Sequence, residues 1–220
     1  MSDNKYVELD LESLIEELVG EETSLDSLSD SHFDEENRIL WLEGDVDEGV
    51  VNLTKAIIRW NLLDMQSEKP VSTRKPIRIV IDSPGGLLEP AITLHEVIKS
   101  SVTPVYTINI GQASSAAALI FSAGHKRAAA TGSYFLFHEG EGGAAGTFRQ
   151  SKQRMAHYEH LVTQMTEAFI SNFDLSGKKA KQFRKRMNGD WFIYMTPLME
   201  EETDVKGFNL VTTTYQDLMY

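Results

Sequence analysis

The 220-residue chain contains no cysteine. That absence excludes a disulfide framework, a thiol nucleophile and any cysteine-ligated metal. It also fits a reducing compartment. No run of 18 uncharged apolar residues occurs, so no membrane-spanning helix is expected. The N-terminus, "MSDNKYVELDLESLIEELVG", lacks the basic start and apolar core of a secretory signal, and a cytoplasmic location is expected. An excess of basic charge is missing as well. The formal net charge is −12, which argues against general nucleic-acid binding. There is no G-x-x-x-x-G-K-[ST] phosphate-binding loop. No internal repeat or low-complexity tract stands out.

The acidity is segregated. Residues 1–36 hold thirteen Asp or Glu and one Lys, whereas residues 37–220 carry twenty charges of each sign. Residues 1–36 therefore read as an acidic N-terminal extension, and 37–220 as one domain. Within the extension, Leu9, Leu11, Leu14, Ile15, Leu18 and Val19 give a short amphipathic helix pattern. "GEETSLDSLSDSHFDEEN" follows, polar and poor in core residues, as a linker would be. The extension is either a mobile, solubilising leader or a docking or gating segment that orders on a partner.

The body alternates strand and helix patterns. "RILWLEGDV" reads as a strand. "DEGVVNLTKAIIRWNLLDMQ" reads as a helix with Val50, Val51, Leu53, Ile57, Ile58 and Leu62 as core candidates. "PIRIVIDSPGG" is a nearly continuous apolar run ending in a turn, as a buried parallel strand would be. "LLEPAITLHEVIKSS" is a helix whose Pro90 falls in the first turn. "TPVYTINIG" is a strand, and "SSAAALIFSAG" a helix. "KRAAATGSYFLFHEGEGG" holds one or two strands and then glycines. A long helix ("TFRQSKQRMAHYEHLVTQMTEAFISNF"), a basic helix ("SGKKAKQFRKRMNG") and a short strand ("DWFIYM") follow. This order predicts an α/β fold with a largely parallel sheet.

Three stretches could carry chemistry. In "DSPGG", Gly85 and Gly86 can bring bare backbone N–H groups close to a ligand, although strand–Gly-Gly–helix turns are common in purely structural roles. In "GQASSAAALIFSAG", Ser114 and Ser115 precede a helix lined with Ala113, Ala116, Ala117 and Ala118. A serine there is usually a cap. As a nucleophile it would need a cleft and neighbouring N–H donors for an oxyanion. The G-x-S-x-G elbow and its Ser…Asp…His order are absent. In "YFLFHEGEGG", His138 ends a strand. Imidazole titrates in the range needed to take a serine proton. A carboxylate must then hold its tautomer, and Asp190 in "NGDWFIY" is a candidate. His95, His157 and His160 fall in helix patterns and His125 in a loop. None has metal-ligand context, so neither a metal nor another cofactor is expected. The basic run "KKAKQFRKR" reads as a solvated face that could pair with the acidic extension.

Taken together, residues of about 37–212 resemble the Clp protease proteolytic subunit. "RILWLEGDVDEGVVNLTKAIIRWNLL" is similar to its first strand and helix, and "IRIVIDSPGG" to its strand ending in N/D-S-P-G-G. "GQASSAAALIFSAG" aligns without a gap on G-x-A-A-S-M-G-A-x-L-L-x-A-G. "FLFHEG" stands where the family has M-I-H-Q-P, and "GDWFIY" where it has an Asp before a short β segment. "VKGFNLV" resembles its E-Y-G-L-V/I-D ending.

The resemblance implies a ClpP/crotonase-like ββα-repeat fold with a protruding handle helix from about Thr147 to Phe173. It implies a serine endopeptidase with Ser115 as nucleophile, His138 as base and Asp190 as orienting acid, Asp174 being the fallback. The backbone N–H groups of Gly86 and Ala116 would form the oxyanion hole. Gly85 and a strand segment at Gly142–Gly143 would bind substrate as an added β-strand. Stacked heptameric rings, an AAA+ unfoldase partner and unfolded polypeptide substrates are implied, with no nucleic acid and no membrane. The departures are specific. Ala116-Ala117 replaces Met-Gly, and Glu139-Gly140 replaces Gln-Pro, which puts a charge near the base. The serine–histidine spacing is about two residues short. The tail "MTPLMEEETDV" is longer and more acidic than usual. Three alternatives stay open: a phage-type capsid- or scaffold-processing protease of the same clan, a catalytically silent structural subunit, and an acyl-CoA enzyme of the crotonase type.

Overall fold

The computed structural model describes residues 33–67, 69–196 and 204–219. The expected helix and linker before residue 33, and most of the acidic tail, lie outside the described residues. Seven strands form one sheet: β1 (Phe33–Asp34), β2 (Ile39–Val46), β3 (Ile77–Gly86), β4 (Val105–Ser114), β5 (Lys126–Ala129), β6 (Tyr134–Phe137) and β7 (Trp191–Tyr194). The order is β1-β2-β3-β4-β6-β7, with β5 also paired to β4. The interior pairings are parallel, while β1 and β7 run antiparallel at the two edges. The sheet is therefore mixed. Just ahead of the boundary expected after residue 36, β1 pairs with β2 and Phe33 stacks on Trp60 at 5.3 Å.

The helices are α1 (Val51–Gln66), α2 (Leu88–Ser100), α3 (Ala116–Ser122), α4 (Phe148–Asn172), α5 (Gly177–Arg186) and two short ones, α6 (Asp204–Gly207) and α7 (Tyr215–Met219). The buried stripe of α1 runs Leu53, Ile57, Trp60, Asp64. Val51 and Ile58, expected in the core, are exposed. Apolar residues occur on both sides of this helix, and its phase is set by the last member of the stripe. Asp64 is buried because Arg38 donates to it twice (2.7 and 2.9 Å) and the Thr103 hydroxyl once (2.6 Å). Burial works to raise the Asp64 pKa, but these hydrogen bonds outweigh it and leave the carboxyl below its ordinary value.

Side chains alternate along β4. Val105 and Ala113 join the main core, while Tyr106, Ile108 and Ile110 form a small separate cluster with Tyr215, Leu218 and Met219 of α7. The C-terminal segment is tied down by Arg127, which is 5% exposed and donates to the carbonyls of Leu210 (2.9 Å), Asn209 (3.0 Å) and Gly124 (3.3 Å). Its guanidinium lies 5.3 Å from the Phe173 ring centroid, and burial lowers its pKa to about 10. Arg127→Met leaves three carbonyls short of a donor. It is expected to cost about 2–4 kcal/mol, read as a lower urea midpoint at constant m-value.

Candidate active site

Parallel strands end on the same side of a sheet, so whatever follows β3, β4 and β6 is gathered along one edge. Gly85 and Gly86 close β3, Ser115 follows β4, and His138 follows β6. Because β7 is antiparallel to β6, it begins where β6 ends. Phe137 pairs with Trp191, and the next step in that register sets His138 opposite Asp190. Topology alone thus brings together five of the residues singled out in the sequence.

Ser115 sits at φ 54°, ψ −120°, a region sparsely allowed for a residue with a side chain. Its N–H donates to Leu136 O (2.8 Å), and its carbonyl accepts from Leu119 N (3.2 Å), which starts α3. The hydroxyl makes no capping hydrogen bond. The commonplace role for a serine at a helix start is therefore not the one it fills. Ser115 is half-buried and borders a cleft, whereas the Ser114 hydroxyl is fully buried without a partner. The alanines allow this packing: Ala113, Ala116, Ala117 and Ala118 are all 0% exposed. Gly85 (φ +97°) presses against the elbow, and a Cβ there would sit 2.8 Å from Ser115 Cβ and 3.0 Å from Ala116 N. Ala116 is the first residue of α3, where a helix leaves N–H groups unused by its own ladder.

His138 Nδ1 lies 3.4 Å from Asp190 Oδ1, longer than a good hydrogen bond. The Asp190 side chain is 66% exposed and that of His138 is 19% exposed. His138 Nε2 is buried and has no hydrogen-bond partner. The pair is positioned from its flanks: Glu139 N–H donates to Met187 O (2.9 Å) at the end of α5. The Asn188 amide nitrogen, turned toward its two acceptors, donates to Glu139 Oε1 (2.9 Å) and Arg184 O (3.1 Å). Asp174 lies in the turn after α4, where its N–H donates to Ser171 O (3.1 Å), and it makes no ion pair with His138.

The cleft has a volume of about 390 Å³ and is lined by Gly86, Ser115, Glu141, Gly142, Gly143 and Tyr158, among others. Gly142–Gly143, expected as a strand segment, belongs to no strand, and residues 138–145 run without sheet partners. The glycines there have no ladder to hold them flat, and α4 supports them instead. Tyr158 of α4 packs on Gly140 and Gly142, and Arg154 donates to Ala145 O (2.7 Å). Burial, with Glu141 and Glu89 nearby, pushes the Tyr158 phenol above its ordinary value. Sequence reasoning missed Tyr158, Arg154 and Glu89, because nothing in a long amphipathic helix marks which turn crosses a cleft. His157 is exposed and 3.8 Å from Glu89. The basic helix α5 pairs with acids of the body, Arg184 with Glu167 (2.9 Å) and Arg186 with Asp204. Among the described residues no cluster of three or more His, Asp or Glu is arranged to hold a metal ion.

His95 belongs to the support of the elbow. Asn172 Nδ2 at the end of α4 donates to His95 Nε2 (2.8 Å) and to Ser122 Oγ (2.9 Å), tying α4 to α2 and α3. Burial pushes the His95 imidazole down, and that of His125 likewise. A histidine held neutral in the fold takes up its proton first in the unfolded chain. Its stability contribution is present above the unfolded pKa of about 6.5 and is lost as pH falls toward the lower folded value. The unfolding midpoint is expected to drop between pH 7 and pH 5, and His95→Gln to make that slope shallower, as thermal melts across this range would show.

The carboxyl edge of this mixed α/β sheet thus carries a strained serine, a histidine and a carboxylate. A family model described as Clp protease matches residues 24–204. The chain belongs to the Clp protease family, and its domain is a ClpP-like peptidase domain. Among the described residues no helix is long and apolar enough to cross a membrane.

Proposed function

We propose that this chain is the proteolytic subunit of an ATP-dependent Clp-type serine endopeptidase. The observation that carries the reading is the placing of an uncapped, positive-φ Ser115, which borders the cleft, and of the His138–Asp190 pair at the carboxyl ends of the neighbouring strands β4 and β6. Ser115 Oγ attacks the scissile carbonyl while His138 Nε2 takes its proton. Asp190, facing Nδ1, orients the ring and stabilises the imidazolium. The tetrahedral oxyanion is received by the N–H groups of Gly86 and Ala116. Collapse breaks the C–N bond, and Nε2–H protonates the departing amine. Water, activated by the same nitrogen, then releases the acyl group from Ser115. The buried, unpartnered Nε2 supports this role, since it is an acceptor left for a proton still to come. The 3.4 Å separation of His138 and Asp190 shortens once substrate closes the cleft, as catalytic hydrogen bonds commonly do.

Gly85, Gly142 and Gly143 offer backbone to an extended peptide, which makes binding tolerant of sequence. Family membership supports stacked heptameric rings, with α4 as the handle between rings, and a chamber fed with unfolded chains by an AAA+ unfoldase in the cytoplasm. The largely exposed first turns of α4, up to residue 160, are in keeping with that placement. Residues 1–36 would gate the entry pore or dock a partner. The reading is tested by turnover of fluorogenic peptides and of labelled unstructured casein. Hydrolysis blocked by serine-directed reagents, and lost in His138→Ala, is expected. Full turnover in His138→Ala would overturn it.

A further inference from the structure

The wall of the cleft between His138 and the start of α4 is held by no strand ladder. Two side chains of α4 reach it. Arg154 Nη1 donates to Ala145 O (2.7 Å), and the Tyr158 ring lies under Gly140 and Gly142. The packing is close. A Cβ on Gly142 would come within 2.6–3.0 Å of three Tyr158 ring atoms, and one on Gly140 within 2.5 Å of its Oη. A Cβ on Gly143, one residue on, would meet nothing within 4 Å. The backbone of Gly142 is therefore seated on an aromatic ring, and that of Gly143 stands free over the cleft. Tyr158 itself is half-buried and packs against the main core, so the ring is anchored on its far side.

We propose that Tyr158 is a positioning residue for substrate: its ring holds residues 140–143 at the height where an extended peptide can pair with them. This rests on the peptidase reading above. The contact that seats Gly142 is made by ring carbons, while the phenolic oxygen meets Gly140. The wall binds the peptide on either side of the scissile bond without touching the reacting atoms. Loss of the ring therefore weakens ground-state and transition-state binding alike, which raises KM and leaves kcat in place.

The test is steady-state hydrolysis of a fluorogenic peptide by the full chain, with labelling of Ser115 by a small fluorophosphonate run in parallel. Tyr158→Ala is expected to raise KM on the order of tenfold, with kcat and the labelling rate within about twofold of wild type. Tyr158→Phe is expected to restore KM. Gly142→Ala is expected to raise KM because its methyl meets the ring, and much less so in a Tyr158→Ala background. That pairing keeps the test open if the single Tyr158→Ala protein fails to fold, since Gly142→Ala with Tyr158→Phe retains the clash. An unchanged KM in Tyr158→Ala overturns the proposal, as does a KM that Tyr158→Phe leaves raised. Equal losses of kcat and labelling also overturn it, since they would place Tyr158 in the support of the elbow. Absence of both turnover and labelling in the wild-type protein would instead sink the peptidase reading.

Discussion

Ser115→Ala is expected to lower peptide hydrolysis by about 10⁴-fold or more, while Ser114→Ala retains most of it. Both serines precede the same helix, but they differ in what surrounds them. Ser114 ends β4 with its hydroxyl buried and unpartnered, and Ser115 borders the cleft. Only Ser115 has the strained backbone that a helix cap would not need. On the function proposed above, removing the Ser115 hydroxyl leaves the oxyanion donors and substrate binding in place, so a small residual rate is expected. The measurement is kcat at saturating peptide, with circular dichroism and particle size unchanged. Loss of activity in Ser114→Ala with retention in Ser115→Ala would move the nucleophile by one residue.

Gly85→Ala is expected to be nearly as damaging without removing any reacting group. The added methyl would stand 2.5 Å from Ser114 O, 2.8 Å from Ser115 Cβ and 3.0 Å from Ala116 N. Two of these are backbone atoms of the elbow, which cannot rotate aside as a side-chain tip would. The φ of +97° adds strain for any residue with a Cβ. Displacement of Ser115 and of the Ala116 N–H, the proposed oxyanion donor, is expected to cost about 100-fold or more in kcat. Stability is expected to fall by about 1–3 kcal/mol, read by urea unfolding. Wild-type kcat in a folded Gly85→Ala protein would show that this glycine does not shape the elbow.

Much of the fold is legible in the amino-acid sequence. The alternation of patterns places the strands and helices, because buried parallel strands read as apolar runs and the helices between them as amphipathic ones. The site is legible where function depends on local chain: the Gly-Gly turn after β3, and the serines ahead of a helix of alanines. The pairing of His138 with Asp190 is legible only as a candidate, which the resemblance strengthens. It depends on β7 returning antiparallel, and no local pattern records strand direction. The phase of α1 escapes the pattern at Val51 and Ile58 because its buried stripe ends on Asp64, whose burial depends on Arg38 and Thr103 from elsewhere. Gly142–Gly143 is expected as strand only by resemblance, and among the described residues it pairs with no strand. Tyr158 leaves no signal, because one aromatic in a helix of mixed face looks like any other.

The central claim is that Ser115, activated by His138, is the nucleophile. The most direct measurement treats the purified full chain with a fluorophosphonate probe and maps the modified residue by peptide mass spectrometry. The account predicts a single adduct at Ser115, absent in Ser115→Ala and strongly reduced in His138→Ala. An adduct elsewhere, none at all on a folded and assembled protein, or undiminished labelling of Ser115 in His138→Ala would contradict it.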